Sequence, residues 1–271
     1  MSIEIPAAVP FDLEECGNEY YQDAWIYDHD FRWYKRDAAF YRRIVGGLGG
    51  PVLEIGCGTG RLLVPWLRDG LEVTGVDLSE NMLERARERI ARLGASARSR
   101  ARLVQKDMRR LSFRGEFNVA VCAFNTMMHL YTHEDIASFL RGVHRALKPD
   151  GTFLFDVLNP DFRWLLRDPA RRWSRIRFKH PYYNTWYHYT TNHYYDAQEQ
   201  IAYIYVYHEP VRENDGPSYV LRFGHRIFFP QELIYLLETH GFEVENLFGG
   251  FDGSDLDLYS ASCVFVCRRK A

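Results

Sequence analysis

Three glycines, Gly56, Gly58 and Gly60, follow a short apolar run, Val52-Leu53-Glu54-Ile55. A second apolar run, Val73 to Val76, ends on Asp77 about twenty residues downstream. Glycines at this spacing let a backbone turn sharply and approach a ligand closely. A carboxylate at the end of the next strand can accept hydrogen bonds from a pair of ribose hydroxyls. Together these are the means by which a doubly wound sheet holds an adenosine-containing cofactor. The nicotinamide pattern is G-x-G-x-x-G, whereas this chain reads G-x-G-x-G with Glu54 ahead of it. A second chemical group is His129, which comes just after the apolar run Phe117 to Cys122. An imidazole placed there could accept a proton from a reacting group.

These residues need a scaffold, and the chain describes one. Ser79 is an N-cap with Glu80 in the first turn, and Met82, Leu83, Ala86, Ile90 and Leu93 line one helix face. Thr132-His133-Glu134-Asp135 resembles a capping box opening a helix with the stripe Ile136, Phe139, Leu140, Val143 and Leu147. Lys148-Pro149-Asp150-Gly151 is a turn into a fifth strand, Thr152 to Val157. Strands alternating with helices predict a parallel sheet with right-handed crossovers. Residues 19 to 48 read as helical, with Gly46-Gly47 as the stop.

After Asn159-Pro160 the rhythm changes. Half of the 18 tyrosines lie between Tyr182 and Tyr207. Residues 201–207 and 219–228 read as strands, with 213–217 as a hairpin turn. A helix over Gln231 to Thr239 and a terminal hairpin of Phe242 to Leu247 and Ala261 to Cys267 complete the chain. The expected fold is α/β, a doubly wound, seven-stranded, mostly parallel Rossmann-like sheet with an antiparallel β insertion. The expected divisions are an N-terminal helical cap (1–50), a cofactor-binding core (51–160 and 229–271) and an aromatic-rich insertion or lid (161–228).

Composition narrows the class. A net charge of −2 over 271 residues gives no general reason to expect a nucleic acid or a membrane surface. The arginines from Arg85 to Arg114 are interspersed with Glu84 and Glu88, which favours a solvated helix over a nucleic-acid face. No stretch approaches the roughly 18 apolar residues of a membrane span, and Met1 to Glu15 lacks the apolar segment of a secretory signal. The five cysteines form no C-x-x-C pair, so reduced thiols in a cytoplasm are expected rather than disulfides or zinc.

Val52 to Gly60 resembles motif I of the class I S-adenosylmethionine-dependent methyltransferases. Gly75 to Ser79, Gln105-Lys106-Asp107-Met108, Phe117 to Leu130 and Ala146 to Gly151 continue that pattern in order. The resemblance implies S-adenosylmethionine as cofactor and assigns roles to particular residues. Gly56, Gly58 and Gly60 would pass beneath its methionyl part, with Glu54 supporting the turn. Asp77 would take the ribose hydroxyls beside Leu78. Asp107 and Met108 would meet adenine, although a simple loop cap is the competing reading of Asp107. Near Phe124 and Asn125 a backbone carbonyl would meet the methionyl ammonium.

The layout is further similar to the bacterial dTDP-amino-sugar N,N-dimethyltransferases, through Tyr27-Asp28, His129, the antiparallel insertion and His225-Arg226-Ile227. That resemblance implies a small-molecule acceptor, with N-methylation favoured over O-methylation. His129 would be the proton acceptor or an orienting group, with a helix-terminal histidine bonded to a carbonyl as the competing reading, and Tyr20, Tyr27, Trp33 and His225 would contact the acceptor. The loop Gly249 to Ser254 departs from the amino-sugar enzymes. Asn125-Thr126-Met127-Met128 replaces the Asn-Pro-Pro-Tyr of enzymes that methylate exocyclic amino groups of DNA bases. An RNA or protein methyltransferase and a non-catalytic cofactor-binding module stand as alternatives. Exposed strands in the insertion would suit a homodimer.

Overall fold

Parallel strands buried on both faces appear in sequence as unbroken apolar runs, and the computed structural model turns these runs into strands. It describes residues 7–16 and 19–270, so residues 1–6 of the N-terminal segment considered above lie outside the described residues. In chain order the first strands are β1 (Val52–Ile55), β2 (Val73–Asp77), β3 (Ala101–Gln105), β4 (Phe117–Cys122) and β5 (Leu147–Leu158). Next come β6 (Trp173–Lys179), β7 (Trp186–Asp196), β8 (Ile201–Pro210) and β9 (Tyr219–Arg226). The last two are β10 (Phe242–Phe248) and β11 (Ser262–Arg269).

Seven strands form one sheet in the order β10-β11-β5-β4-β1-β2-β3. The pairs β1–β2, β1–β4, β2–β3 and β4–β5 are parallel, and β11 runs against both of its neighbours. This is the expected doubly wound, mostly parallel sheet. The chain winds outward from β1 to β3, then returns to place β4 on the other side of β1. That reversal opens a crevice beyond the carboxyl ends of β1 and β4, where such sheets bind ligands.

The helices behave largely as their patterns demand. Ser79 caps helix Glu80–Ala91, whose buried residues are Met82, Leu83, Ala86 and Ile90. Thr132 accepts from the Asp135 N–H to open helix His133–Ala146. Three boundaries differ from expectation. Residues 19–48 are not one helix but a 3₁₀ turn (Glu19–Tyr21) and two helices (Ala24–Asp30 and Arg36–Leu48), with a turn over residues 31–33. Gly46 and Gly47 stay helical, and the helix ends at Gly49, whose φ of 74° breaks the repeat. The Lys148–Gly151 turn lies inside β5 as an irregularity, with Asp150 at φ 58° and the β4–β5 register shifting after Phe117.

By its internal packing the chain divides into two units, Asp30–Asn159 with Phe228–Ala271, and Met1–His29 with Pro160–Ile227. The first holds the seven-stranded sheet. In the second, β6-β7-β8-β9 form an antiparallel sheet, the expected insertion in four strands. Within that unit Glu19 pairs with Arg222, the Tyr205 hydroxyl donates to the Val9 carbonyl, and Phe11 sets its ring edge against Tyr203 and Tyr205. The N-terminal segment is therefore tied to this sheet by polar and ring contacts. Among the described residues no helix is long and apolar enough to cross a membrane.

Candidate functional site

The glycine turn hangs from the end of β2. The Val76 carbonyl accepts from the Gly56 and Cys57 N–H groups at 2.8 and 3.0 Å. The Asp77 carboxylate then accepts from the Gly58 N–H at 2.7 Å and from the Ser79 N–H at 2.9 Å. Burial raises the Asp77 carboxyl above its ordinary range, against the pull of these backbone bonds. Gly56 has no substitute here. Its φ is 69°, and a Cβ on it would lie 2.4 Å from the Thr126 methyl carbon. Gly58, at φ 52°, has open space where a Cβ would go. One glycine admits the neighbouring loop and the other leaves room above the turn.

That neighbouring loop follows β4. Phe124 and Asn125 are consecutive non-glycine residues in the left-handed region, at φ 59° and 63°. Such backbone costs ~1–2 kcal/mol per residue, and Asn tolerates it better than Phe. The Asp156 carboxylate on β5 holds both, accepting from the Phe124 N–H at 2.8 Å and the Asn125 N–H at 3.1 Å. The Tyr41 hydroxyl donates to the same carboxylate at 2.6 Å. Asp156 is 1% exposed. Burial pushes its pKa up to about 6 despite these three donors.

The Phe124 ring is gripped in turn. Phe31 meets it edge-on at 4.9 Å and Tyr34 lies tilted at 4.8 Å. The Arg61 guanidinium stands 5.2 Å from its centroid. Arg61 directly follows the last glycine of the turn and is held by Asp37 through two parallel bonds of 2.6 Å. Asp37 is fully buried, so this bidentate pair fixes the guanidinium rigidly. Turn and β4 loop thus meet through Arg61 and Phe124.

Two buried polar atoms indicate what chemistry the site can accept. Glu54 Oε2 and Asn125 Oδ1 are buried acceptors with no hydrogen-bond partner among the described residues. An unsatisfied buried polar atom costs ~1–3 kcal/mol. Burial drives the Glu54 carboxyl well above its usual range, and Arg61 pulls it back. With Asp77 these make a set of acceptors across β1, β2 and β4. A ligand carrying an ammonium and ribose hydroxyls supplies matching donors, and S-adenosylmethionine fits in this sense. The pyrophosphate of a dinucleotide would bring anionic oxygens to the same acceptors.

The other residues singled out from sequence occupy varied settings. Leu78 is half exposed beside Asp77, an apolar side chain available to a base. Asp107 caps the 3₁₀ turn Met108–Arg110, and Arg109 chelates its carboxylate with bonds of 2.7 and 2.9 Å. Arg109 lowers the Asp107 pKa although burial opposes it. The cap is therefore the role the structure displays. His129 closes the 3₁₀ turn Thr126–His129, with Nδ1 3.4 Å from the Tyr131 hydroxyl. Trp33, expected on a helix, lies in the turn before helix Arg36–Leu48 and is 78% exposed. Its neighbours Phe31 and Tyr34 are the ones that turn onto Phe124.

In the other unit Tyr20 is buried, with Tyr27 at 6.3 Å, Tyr21 at 5.9 Å and Phe223 at 5.3 Å. His225 meets Phe223 at 4.9 Å. Tyr20 and Phe223 therefore link Tyr27 and His225 into one ring cluster. Asp37, Tyr41, Arg61 and Asp156 were not singled out from sequence. A lone carboxylate in the run Phe153-Leu154-Phe155-Asp156-Val157 was the available signal, because buried strands seldom carry an unpartnered acid.

Residues 52–151 match the family model described as a methyltransferase domain. A candidate methyltransferase of Bacillus subtilis (strain 168), YqeM, is 37% identical over 109 residues, 40% of this chain and 42% of that protein. The chain spans roughly half the length, or less, of the first curated relatives it matches. Among solved structures, the CcbJ methyltransferase from Streptomyces caelestis superposes with a TM-score of 0.75 at 24% identity, covering 94% of this chain and 99% of that one. CalS10, an amino pentose methyltransferase from Micromonospora echinaspora solved with its cofactor bound, gives 0.68 at 18% identity, covering 90% and 97%. Residues 52–151, which carry the glycine turn, Asp77 and strands β1 to β4, thus match a methyltransferase domain, within a chain that shares the fold of solved methyltransferases.

Proposed function

We propose that the protein transfers a methyl group from S-adenosylmethionine to a small-molecule acceptor, with an amine nitrogen favoured over oxygen. The observation that carries the donor reading is the closure of the glycine turn by Asp77, beside the orphaned acceptors Glu54 Oε2 and Asn125 Oδ1. When bound, the donor supplies an electrophilic methyl on a sulfonium, open to in-line displacement. The chain's part is to bind and orient. Asp77 accepts from the ribose hydroxyls, Leu78 and Met108 flank the base, and the Gly56–Gly60 turn and Phe124–Asn125 hold the amino-acid end. Asp107 contributes to the base site mainly by capping the turn that carries Met108.

His129 is assigned the proton. With Nδ1–H donating to the Tyr131 hydroxyl oxygen, Nε2 carries the basic lone pair and can accept a proton from an acceptor amine. An amine reading is supported by the likeness of the fold to an amino pentose methyltransferase. Acceptor recognition is assigned to Tyr20, Tyr27, Trp33 and His225. The aromatic residues of 161–228 suit a planar or cationic acceptor through stacking and cation–π attraction.

The test is incubation with S-adenosylmethionine and a panel of amino sugars, simple amines and phenols, read as S-adenosylhomocysteine formed. Turnover on amines above phenols supports the reading, and turnover confined to phenols overturns the preference for nitrogen.

A further inference from the structure

The chain keeps a fully buried carboxylate and a buried tyrosine hydroxyl where a glycine pair would have made the same turn unaided. Asp156 accepts from two successive N–H groups, Phe124 and Asn125, and from Tyr41. Its partners in the loop lie 32 and 31 residues away, so this is no local turn motif. Strain of this kind persists only where surrounding structure enforces it, and it concentrates at ligand sites. Here the strained pair stands at the carboxyl end of β4, on one side of the sheet's reversal point, with Asp77 on the other side. Its amide oxygen, Asn125 Oδ1, is buried and without a hydrogen-bond partner among the described residues.

We infer that Asp156, braced by Tyr41, is a positioning residue for the amino-acid end of the methyl donor. It touches neither donor nor acceptor. It fixes Phe124 and Asn125 in the left-handed arrangement that presents the loop, and so sets that half of the binding site. The ribose and base half, governed by Asp77, is independent of it. This rests on the donor reading above.

The consequence is a split between two ligands. 5′-Methylthioadenosine keeps the adenosine and lacks the amino-acid tail, whereas S-adenosylhomocysteine carries both. An Asp156→Asn side chain has one acceptor oxygen and turns its NH₂ toward the second backbone N–H, so the loop loses one of its two anchoring bonds and meets a donor in its place, without loss of volume. Calorimetry on the full chain should show S-adenosylhomocysteine binding weakened at least tenfold in Asp156→Asn, with 5′-methylthioadenosine binding unchanged within twofold. Tyr41→Phe should show the same split at about threefold, and it carries the test if Asp156→Asn fails to fold. Equal losses for both ligands, or no loss for either, would overturn the positioning role while leaving the donor reading intact. Failure of the unmodified chain to bind S-adenosylhomocysteine would instead overturn the donor reading, and this inference with it.

Discussion

The Asp77 carboxylate accepts a hydrogen bond from the Gly58 N–H at 2.7 Å, joining the end of β2 to the middle of the glycine turn. One side chain thereby shapes the turn and offers its remaining lone pairs to a diol. Hydrogen bonds to a charged acceptor are worth ~1.5–3 kcal/mol. Asp77→Ala should therefore weaken S-adenosylhomocysteine binding roughly 10- to 150-fold by calorimetry. Asp107→Ala should cost less, because Arg109 already occupies much of that carboxylate. The reverse ranking would move the ribose site away from Asp77.

Gly56→Ala should impair both fold and binding. The new Cβ would meet the Thr126 side chain at 2.4 Å in a left-handed backbone, so the β4 loop must move. The backbone penalty alone is ~1–2 kcal/mol. Thermal unfolding should shift down by several degrees, on the order of 2–8 °C for that loss. An unchanged midpoint would mean that the two loops are not in close contact.

His129→Ala should lower kcat by about 10²- to 10⁴-fold if the imidazole takes the proton. Donor affinity should stay within twofold, since no donor contact is assigned to it. A fall in donor affinity with little change in turnover would make His129 a structural residue of the 3₁₀ turn.

Asp156 also makes a prediction about pH. Its pKa of about 6 lies above the ordinary carboxylate value of 3.8, so the folded chain holds this proton more tightly than the unfolded chain. Its contribution to stability is thus fully present below the unfolded value and is lost as pH rises through about 6. Donor binding should run the other way, because the ionised carboxylate is the better acceptor for two N–H groups. S-Adenosylhomocysteine affinity should fall as pH drops from about 7 to 5, centred near 6. Tyr34 just ahead of helix Arg36–Leu48, Asp37 and Tyr41 on that helix, and Cys122 from β4 also act electrostatically on this group. Nearby Glu54 is likewise held high. Asp156→Asn should flatten the profile, and a profile that persists unchanged in that variant would rule out Asp156 as its source.

The sheet was legible because buried parallel strands appear as apolar runs and the helices between them carry capped, periodic faces. The glycine turn and Asp77 were legible for a similar reason, since their partners lie within one β-turn-β unit. Asp156 was not, because what it bonds is the main chain of a loop 32 residues earlier. Tyr41 lies 115 residues from the same carboxylate. The single helix expected through Trp33 breaks for a local reason: the chain turns after Asp30, so Phe31 and Tyr34 meet Phe124 and Trp33 is exposed. Asp107 shows a different limit, since Arg109, two residues on, determines what its carboxylate does.

The most direct test of the donor site is a crystal structure of the chain with S-adenosylhomocysteine. The account predicts one ligand beyond the carboxyl ends of β1, β2 and β4, its ribose hydroxyls bonded to Asp77 and its amino group beside the Phe124–Asn125 loop. A ligand bound elsewhere, or one whose ribose does not reach Asp77, would contradict it.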